Sequence, residues 1–445
     1  MVVSKLKGKL EGKVLPIVLF TVFIDLLGVG ILFPVIPQLL ANPHSPFYLL
    51  PAGWTYKDGL VLLGFLTAIF PFMQFLATPI LGQLSDRYGR KKILALSLAG
   101  TAVSYVVFAH GIIVRNIPLL FLARAFDGIT GGNVAVAQAA IADVTAPEHR
   151  TRNFGLMGAV FGLGFILGPY IGGKLASPGV TLLHVGSLHL LTTPRWFNAA
   201  TPFWFAAILS TINVTMVLVN FPETLKRVAH HLKIDWSRSF HNIIKAVTLP
   251  GLRTIFPSVF LFWGGFSFFT TFFSVYLTTK LGFKANNIGD FFAYIGLWIA
   301  ITQGALTAIL AKRLANWQVL RFSILGLSVA LVAIFIPNNT TQLLLVAPLI
   351  PICVGLSIAN ITALVSRSAA ANIQGEVLGI NASVQALAQS IPAALTGYLG
   401  GISRNVPIIA ASITVAVGGL LFWLLYRPSR QTMAHDPDPE MAAGH

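Results

Sequence analysis

The sequence predicts an all-α integral membrane protein, with twelve transmembrane helices in two pseudo-symmetric six-helix bundles. Three observations carry that reading. Of 445 residues, 55% are hydrophobic and 10% charged, where a soluble domain carries about a quarter charged. The apolar residues gather into twelve runs, each near the ~20 helical residues that cross a hydrocarbon core of about 30 Å. The runs are roughly 15–40, 59–81, 93–114, 118–142, 154–175, 201–221, 252–277, 288–311, 319–337, 341–365, 377–400 and 405–426. Third, the cations divide unevenly between alternate loops. Twelve crossings put both termini on one side. With that side cytoplasmic, about 22 of the 30 Lys and Arg lie inside, seven outside, and Arg124 within a span. An excess of cations marks the cytoplasmic face, so a multi-pass protein of the cell (inner) membrane is expected, with both termini cytoplasmic.

The formal net charge of +16 would suit a nucleic-acid partner in a soluble chain. Here the cations occupy short loops between apolar runs, so they report topology and no nucleic acid is expected. The single cysteine, Cys353, lies in an apolar run; neither an intrachain disulfide nor a metal cluster is implied, and no cofactor is expected. No G-x-x-x-x-G-K-[ST] phosphate loop is present, which argues against a nucleotide-driven pump. Nothing points to an enzyme.

Taken in order, the first run follows Lys5, Lys7, Lys9 and Lys13. It is too long for a signal-peptide core and no small-x-small cleavage site ends it, so it reads as a retained span. It holds Asp25 about ten residues in, followed by Gly28, Gly30, Pro34 and Pro37. A carboxylate at that depth must pair, protonate or face water. Between spans 2 and 3, Gly82–Lys92 concentrates Arg87, Arg90, Lys91 and Lys92 with Asp86 and two glycines, Gly82 and Gly89. Such charge density belongs at a membrane face. Span 4 carries Arg124 and Asp127, three residues apart and therefore on one helix face. Arg124 keeps its charge when buried and can hold a carboxylate ionised or yield it to a proton. Asp25, Arg124 and Asp127 thus read as a proton-coupling triad, or else as a static ion pair that sets helix register. In span 5, Gly164, Gly168-Pro169 and Gly172 recur every four residues, a ridge of small residues for a close neighbouring helix.

The domain division follows from the longest cytoplasmic segment: an N-terminal bundle 1–221, a linker 222–251, a C-terminal bundle 252–426 and a polar, disordered cytoplasmic tail 427–445. In the linker, Ile234, Trp236, Phe240, Ile243 and Ile244 have a weak helical pattern, so an amphipathic interfacial helix or a plain linker is expected. The halves are weakly alike around Asn153–Leu156 and Val377–Ile380, as in carriers built from two parallel repeats. The outer loops 41–58 and 176–200 contain Phe47, Tyr48, Trp54, Trp196 and Phe197, which either cap the outer face or anchor it at the interface.

The motif G-x-L-S-D-R-x-G-R-K-K at Gly82–Lys92 resembles the loop between spans 2 and 3 of the major facilitator superfamily. Asp25 with Gly28, Gly30, Pro34 and Pro37 resembles the first-span motif of the twelve-span drug:proton antiporters within it. Arg124-x-x-Asp127-Gly128 resembles their fourth-span R-x-x-Q-G motif, and Gly164–Gly173 their fifth-span antiporter motif. Ile129-Thr130-Gly131, Ala140–Asp143 and Phe154–Met157 are similar to bacterial tetracycline efflux proteins, and Phe221–Thr224 to the usual end of span 6. The resemblance covers most of 15–225 and thins in the second half. It implies alternating access around a central cavity. It also implies a cytoplasmic gate in which Gly82, Asp86, Arg87, Gly89 and Arg90 close against the start of span 11, near Arg367 and Glu376.

Two departures stand out. Asp127 stands where the family often has Gln, and the second half has no acid or His inside spans 9 to 12, with Asp290 near the outer end of span 8, whereas tetracycline exporters characteristically use such groups in that half. The second half offers neutral groups instead. Asn381, Gln385 and Gln389 line one face of span 11, and Gln303 and Asn360 are candidates to join them. Span 7 supplies Trp263 and Phe266 among many aromatics. These are candidates for a substrate cavity, or for interhelical packing. The expected function is a proton-coupled secondary transporter, exporting amphipathic or cationic small molecules as a multidrug or tetracycline-like antiporter. The alternative is a proton symporter or uniporter for a sugar or other metabolite. The expected partners are substrate, protons and lipid, and the expected state is a monomer.

Overall fold

The computed structural model describes residues 2–145, 150–185, 188–225, 234–249, 252–367 and 374–428. Side chains are described there except at 2–10, 150–152, 154, 155, 158, 159, 161, 182–185, 188–191, 366, 367 and 374–376. Helices dominate: α1 Val2–Leu40, α2 Tyr56–Tyr88, α3 Arg90–Ile113, α4 Ile117–Thr130, α5 Asn133–Val144, α6 Arg150–Leu175, α7 Thr201–Asn220 and α8 Arg238–Thr248. They continue as α9 Ile255–Leu281, α10 Ala285–Ile301, α11 Thr307–Ala311, α12 Asn316–Ala333, α13 Thr340–Val346, α14 Leu349–Arg367, α15 Gln374–Ile402 and α16 Val406–Leu425. Among the described residues, ten helical stretches are long and apolar enough to cross a membrane. Two further long helices, α6 and α15, lie where the sequence places spans 5 and 11.

Local chemistry explains the interruptions. The fourth run is two helices, α4 and α5, kinked at Gly131-Gly132. The amide side chain of Gln74 donates to the Gly131 carbonyl at 2.9 Å, which satisfies a backbone group that the kink would otherwise leave bare in an apolar medium. The eighth run passes through a π-helical turn at Thr302–Leu306. The tenth breaks between α13 and α14 at Pro348, which cannot donate a backbone hydrogen bond. The all-α class holds among the described residues, with one loop element that the sequence reading did not anticipate. Thr181–Val185 (β1) and Leu188–Thr192 (β2) form an antiparallel hairpin in the long outer loop.

Packing is helix on helix. α1 lies along α6, α3 along α7, α9 along α16 and α12 along α14; α2 lies along α15 and α6 along α10. The last two pairs join the first six apolar runs to the last six. Glycine sets their closeness: a Cβ on Gly397 of α15 would sit 2.3 Å from the Leu60 carbonyl oxygen of α2. The Gly164, Gly168 and Gly172 ridge of α6 faces α1, where a Cβ on Gly168 would lie 2.8 Å from the Gly30 Cα. With no hydrophobic drive between helices in lipid, backbone approach of this kind supplies the packing.

Helix α8 lies beside both α2 and α15. Ser239, Asn242 and Ala246 are buried, while Trp236, Phe240, Ile244 and Val247 are 55–70% exposed. Ser239 Oγ donates to the Leu76 carbonyl at 3.1 Å and Asn242 Nδ2 to Ser383 Oγ at 3.0 Å. The outward apolar face matches a helix resting against lipid rather than water.

Candidate functional site

Two charged clusters stand out, one deep in the helices and one where α2, α3 and α5 end. In the deep cluster, Arg124 Nη1 meets Asp127 Oδ2 at 2.8 Å, and both side chains are almost fully buried. The i, i+3 spacing on α4 puts them in reach. Gly128 lets α4 press onto α2, because a Cβ there would lie 2.5 Å from the Phe70 carbonyl oxygen. That closeness brings the Phe70 ring under the guanidinium, 4.3 Å from its centroid, a cation–π contact strengthened by the absence of water. Arg124 Nε is left without a hydrogen-bond partner among the described residues.

Asp25 joins from α1. Its Oδ2 is buried and without a partner, and the Asn133 amide at the start of α5 approaches it without completing a hydrogen bond. Asp127 lies within electrostatic reach of Asp25. In this conformation Arg124 is therefore engaged by one of the two acids, Asp127. Tyr105 of α3 completes the cluster. Sequence reasoning missed Tyr105 and Asn133, because a lone Tyr or Asn in an apolar run has no pattern to distinguish it.

Beside this cluster is a small cavity of about 60 Å³ between α1, α2, α4 and α9. Arg124 forms part of its wall, with Phe33 and Leu63 as apolar lining and Thr67, Thr270, Thr271 and Ser274 supplying hydroxyls. Phe266 and Trp263 lie one and two turns before Thr270 on α9 and pack edge-to-face on one another. The other polar candidates lie apart from this cavity. Asn360 donates to the Leu356 carbonyl of its own helix at 2.7 Å, and Gln303 sits in the π-helical turn. Asn381, with a buried unpartnered Oδ1, shares α15 with Gln385 and Gln389. The Gln389 carbonyl accepts from Ser267 Oγ at 2.7 Å.

The second cluster is centred on Arg90. Its guanidinium meets Asp86 at 2.7 Å and Asp143 at 3.2 Å. Glu223, just after α7, accepts from the backbone N–H groups of Arg90 at 2.9 Å and Lys91 at 3.2 Å. It thereby places a carboxylate on the α3 N-terminus, where the helix dipole favours negative charge. Gly89 makes that seat: its φ of +99° suits glycine, and a Cβ would come 2.4 Å from Glu223 Oε2. Gly82 has open space around it, and the Arg87 guanidinium lies over the Tyr88 ring at 5.3 Å. Every described carboxylate partner of Arg90 precedes α8 in the chain. The side chains of Arg367 and Glu376 lie outside the described residues. Among the described residues, no group of His, Cys, Asp and Glu side chains is arranged to hold a metal ion.

Helices long and apolar enough to cross a membrane, packed around a buried ion pair with a small cavity beside it, are those of a polytopic membrane carrier. The chain belongs to the Major Facilitator Superfamily, whose sequence model matches residues 18–393, and it is a multi-pass membrane transporter of that family. The tetracycline resistance protein of class E from Escherichia coli is 29% identical over 374 residues, 82% of each chain. The class H protein of Pasteurella multocida is 36% identical over 219 residues, a match spanning 49% of this chain and 46% of that one. The solved structure of the human organic anion transporter MFSD10 (TETRAN) superposes with a TM-score of 0.69 at 23% identity, covering 93% of this chain and 99% of that one. It supports the fold.

Proposed function

We propose that this transporter is proton-coupled and exports amphipathic or cationic small molecules by alternating access. The observation that supports this most directly is the Asp25, Arg124 and Asp127 cluster, buried among apolar helices beside the cavity. Intramembrane ionisable groups are costly and mark ion or substrate pathways. A proton that neutralises one acid frees Arg124 from it and changes the charge beside the cavity, so proton and substrate affinity are linked. The tetracycline resistance relatives make tetracycline-like amphiphiles the first compounds to try. In this reading the chain is a monomer of the inner membrane with both termini cytoplasmic. Its twelve spans form bundles 1–221 and 252–426, joined by the linker 222–251, with a tail 427–445. The Asp86, Arg90 and Asp143 cluster belongs to its cytoplasmic gate.

The four hydroxyls on the cavity wall favour a second reading, a symporter or uniporter for a sugar-like metabolite, because hydroxyls suit a polyol. Purified protein in liposomes with an internal pH dye separates the two. Tetracycline, ethidium and a sugar panel are added to wild type and to Asp25→Asn. Proton release from the vesicle interior driven by an amphiphile, and lost in Asp25→Asn, supports antiport. Equilibration of a sugar without amphiphile-driven proton movement overturns it.

A further inference from the structure

Helix α8 is hooked to α2, which precedes the linker, and to α15, which follows it. Gln83, from the Gly82–Lys92 motif at the end of α2, clasps the backbone of Asp235. Its amide donates to the Asp235 carbonyl at 3.2 Å, and its side-chain oxygen accepts from the Asp235 N–H at 2.8 Å. Ser239 bonds the Leu76 carbonyl of α2, and Asn242 bonds Ser383 of α15. The Phe240 ring stands edge-on to Phe75, with 5.5 Å between centroids. These contacts fix the depth of α8. Phe75 and Leu76 belong to the apolar run 59–81 and Ser383 to the run 377–400, each more than a helical turn inside the nearer end of its run. The helix therefore lies where those spans enter the bilayer. Its faces are chemically distinct. Ser239, Asn242 and Ala246, spaced i, i+3 and i+7, are buried. Trp236, Phe240, Ile244 and Val247 are exposed. Arg238, His241 and Lys245, again spaced i, i+3 and i+7, form a basic, exposed third face. Asp235 is the acid of this stretch, and Ser237 and His241 already hydrogen-bond its carboxylate. Large apolar side chains at this depth, beside a row of cations, fit a lipid leaflet, and the cations suit anionic headgroups.

We propose that α8 is a binding surface for anionic phospholipid, and that the bound leaflet holds it as a strap across the seam between α2 and α15. The apolar side chains enter the leaflet, and Arg238 and Lys245 meet the headgroup phosphates. The buried face is thereby kept on its two partner helices. A helix hooked to both resists their separation at this end, so the lipid composition of the leaflet sets how readily the end opens. The proposal goes beyond the transport reading above and depends neither on the substrate nor on proton coupling.

The test places the full-length protein in nanodiscs of phosphatidylcholine alone or mixed with phosphatidylglycerol, with no substrate added. Hydrogen-exchange protection is read over residues 235–246. Protection is expected to rise with phosphatidylglycerol, by about fivefold for each cation that reaches the headgroups. Arg238→Gln combined with Lys245→Gln should bring the mixed-lipid value down to the neutral-lipid one. Gln83→Ala removes a hook but keeps the lipid-facing side chains, and should lower protection in both lipids. A nitroxide attached at Val247→Cys, in a Cys353→Ser background, should meet dissolved oxygen far more readily than a water-soluble nickel reagent. Equal protection in the two lipid mixtures overturns the proposal, and so does a label as open to nickel as to oxygen. Gln83→Ala with wild-type protection in both lipids overturns the strap.

Discussion

Lys174 Nζ lies 2.9 Å from Asp290 Oδ1 and ties α6 to α10. Around that pair the backbones nearly touch: a Cβ on Gly173 would lie 2.4 Å from the Ala285 carbonyl oxygen, and one on Gly289 2.6 Å from that of Pro169. α6 and α10 are held together at this end, where the β1–β2 hairpin lies, while α8 lies beside α2 and α15 at the other. In a carrier that alternates, this closure opens in the opposite state.

Because the Lys174 side chain is only 11% exposed, the pair belongs at the upper end of the range for surface ion pairs, about 1 kcal/mol. Lys174→Met and Asp290→Asn are each expected to weaken the closed arrangement by about that much, roughly a fivefold population shift. A double-mutant cycle on thermal unfolding checks the coupling. The double variant should match either single one; fully additive losses would show that the charges act independently.

Arg124→Ala leaves Asp127 buried without its partner and is expected to cost about 3–5 kcal/mol. Arg124→Ala combined with Asp127→Ala removes the stranded charge and should recover part of that loss. Unfolding midpoints in detergent decide it. A double variant no more stable than Arg124→Ala would mean that Asp127 is already neutral when alone.

The Gly30–Gly168 contact is close enough that any side chain forces α1 and α6 apart. Gly168→Leu is expected to destabilise by at least about 1–3 kcal/mol, the usual range for overpacking. Gly162→Leu on the same helix, where nothing lies within 4 Å of a Cβ, should be nearly silent. Comparable losses at both positions would refute the ridge as the packing surface.

Arg90 is shared by two acids, so Asp86→Asn should slow conformational cycling while leaving substrate affinity nearly intact, the Asp143 contact holding the fold. Glu223→Gln weakens the carboxylate seat on α3 and should cost about 0.5–2 kcal/mol, as lost helix caps do. Transport turnover and substrate binding, measured side by side, separate these effects. Unchanged turnover in Asp86→Asn would remove it from the gate.

At the start of α8, the Ser237 hydroxyl above all, with the Ser237 backbone N–H and His241 adding to it, holds the Asp235 carboxyl below its ordinary range against an opposing desolvation. A lowered folded pKa means that this stabilisation is complete above the unfolded value, 3.8, and is lost as pH falls through the folded one. Hydrogen-exchange protection factors at Ser237–His241, corrected for the intrinsic pH dependence of amide exchange, should therefore be flat from neutral pH down to the carboxylate range and fall only below it. Loss of protection already near neutral pH would show that the Asp235 carboxylate does not hold this turn.

Apolar runs, loop cations and the i, i+3 spacing of Arg124 and Asp127 are properties of neighbouring residues, so membrane class, family and the acid-bearing helices are legible in the amino-acid sequence. The glycine ridge of α6 is legible there as a packing face, though its partner, α1, is not. Neither are the kink at Gly131-Gly132, the π-helical turn at Thr302–Leu306 and the β1–β2 hairpin. The kink depends on a backbone group finding a partner far away in sequence, as Gly131 does in Gln74. Nor does spacing reveal that Glu223 caps α3, that Asp143 shares Arg90, or that Tyr105 fills the notch at Gly28. Local sequence determines which segments enter the bilayer and which face of each is polar. Only the tertiary structure decides which buried polar atoms meet, because that follows from how closely helices distant in sequence can approach, and here glycine sets the distance.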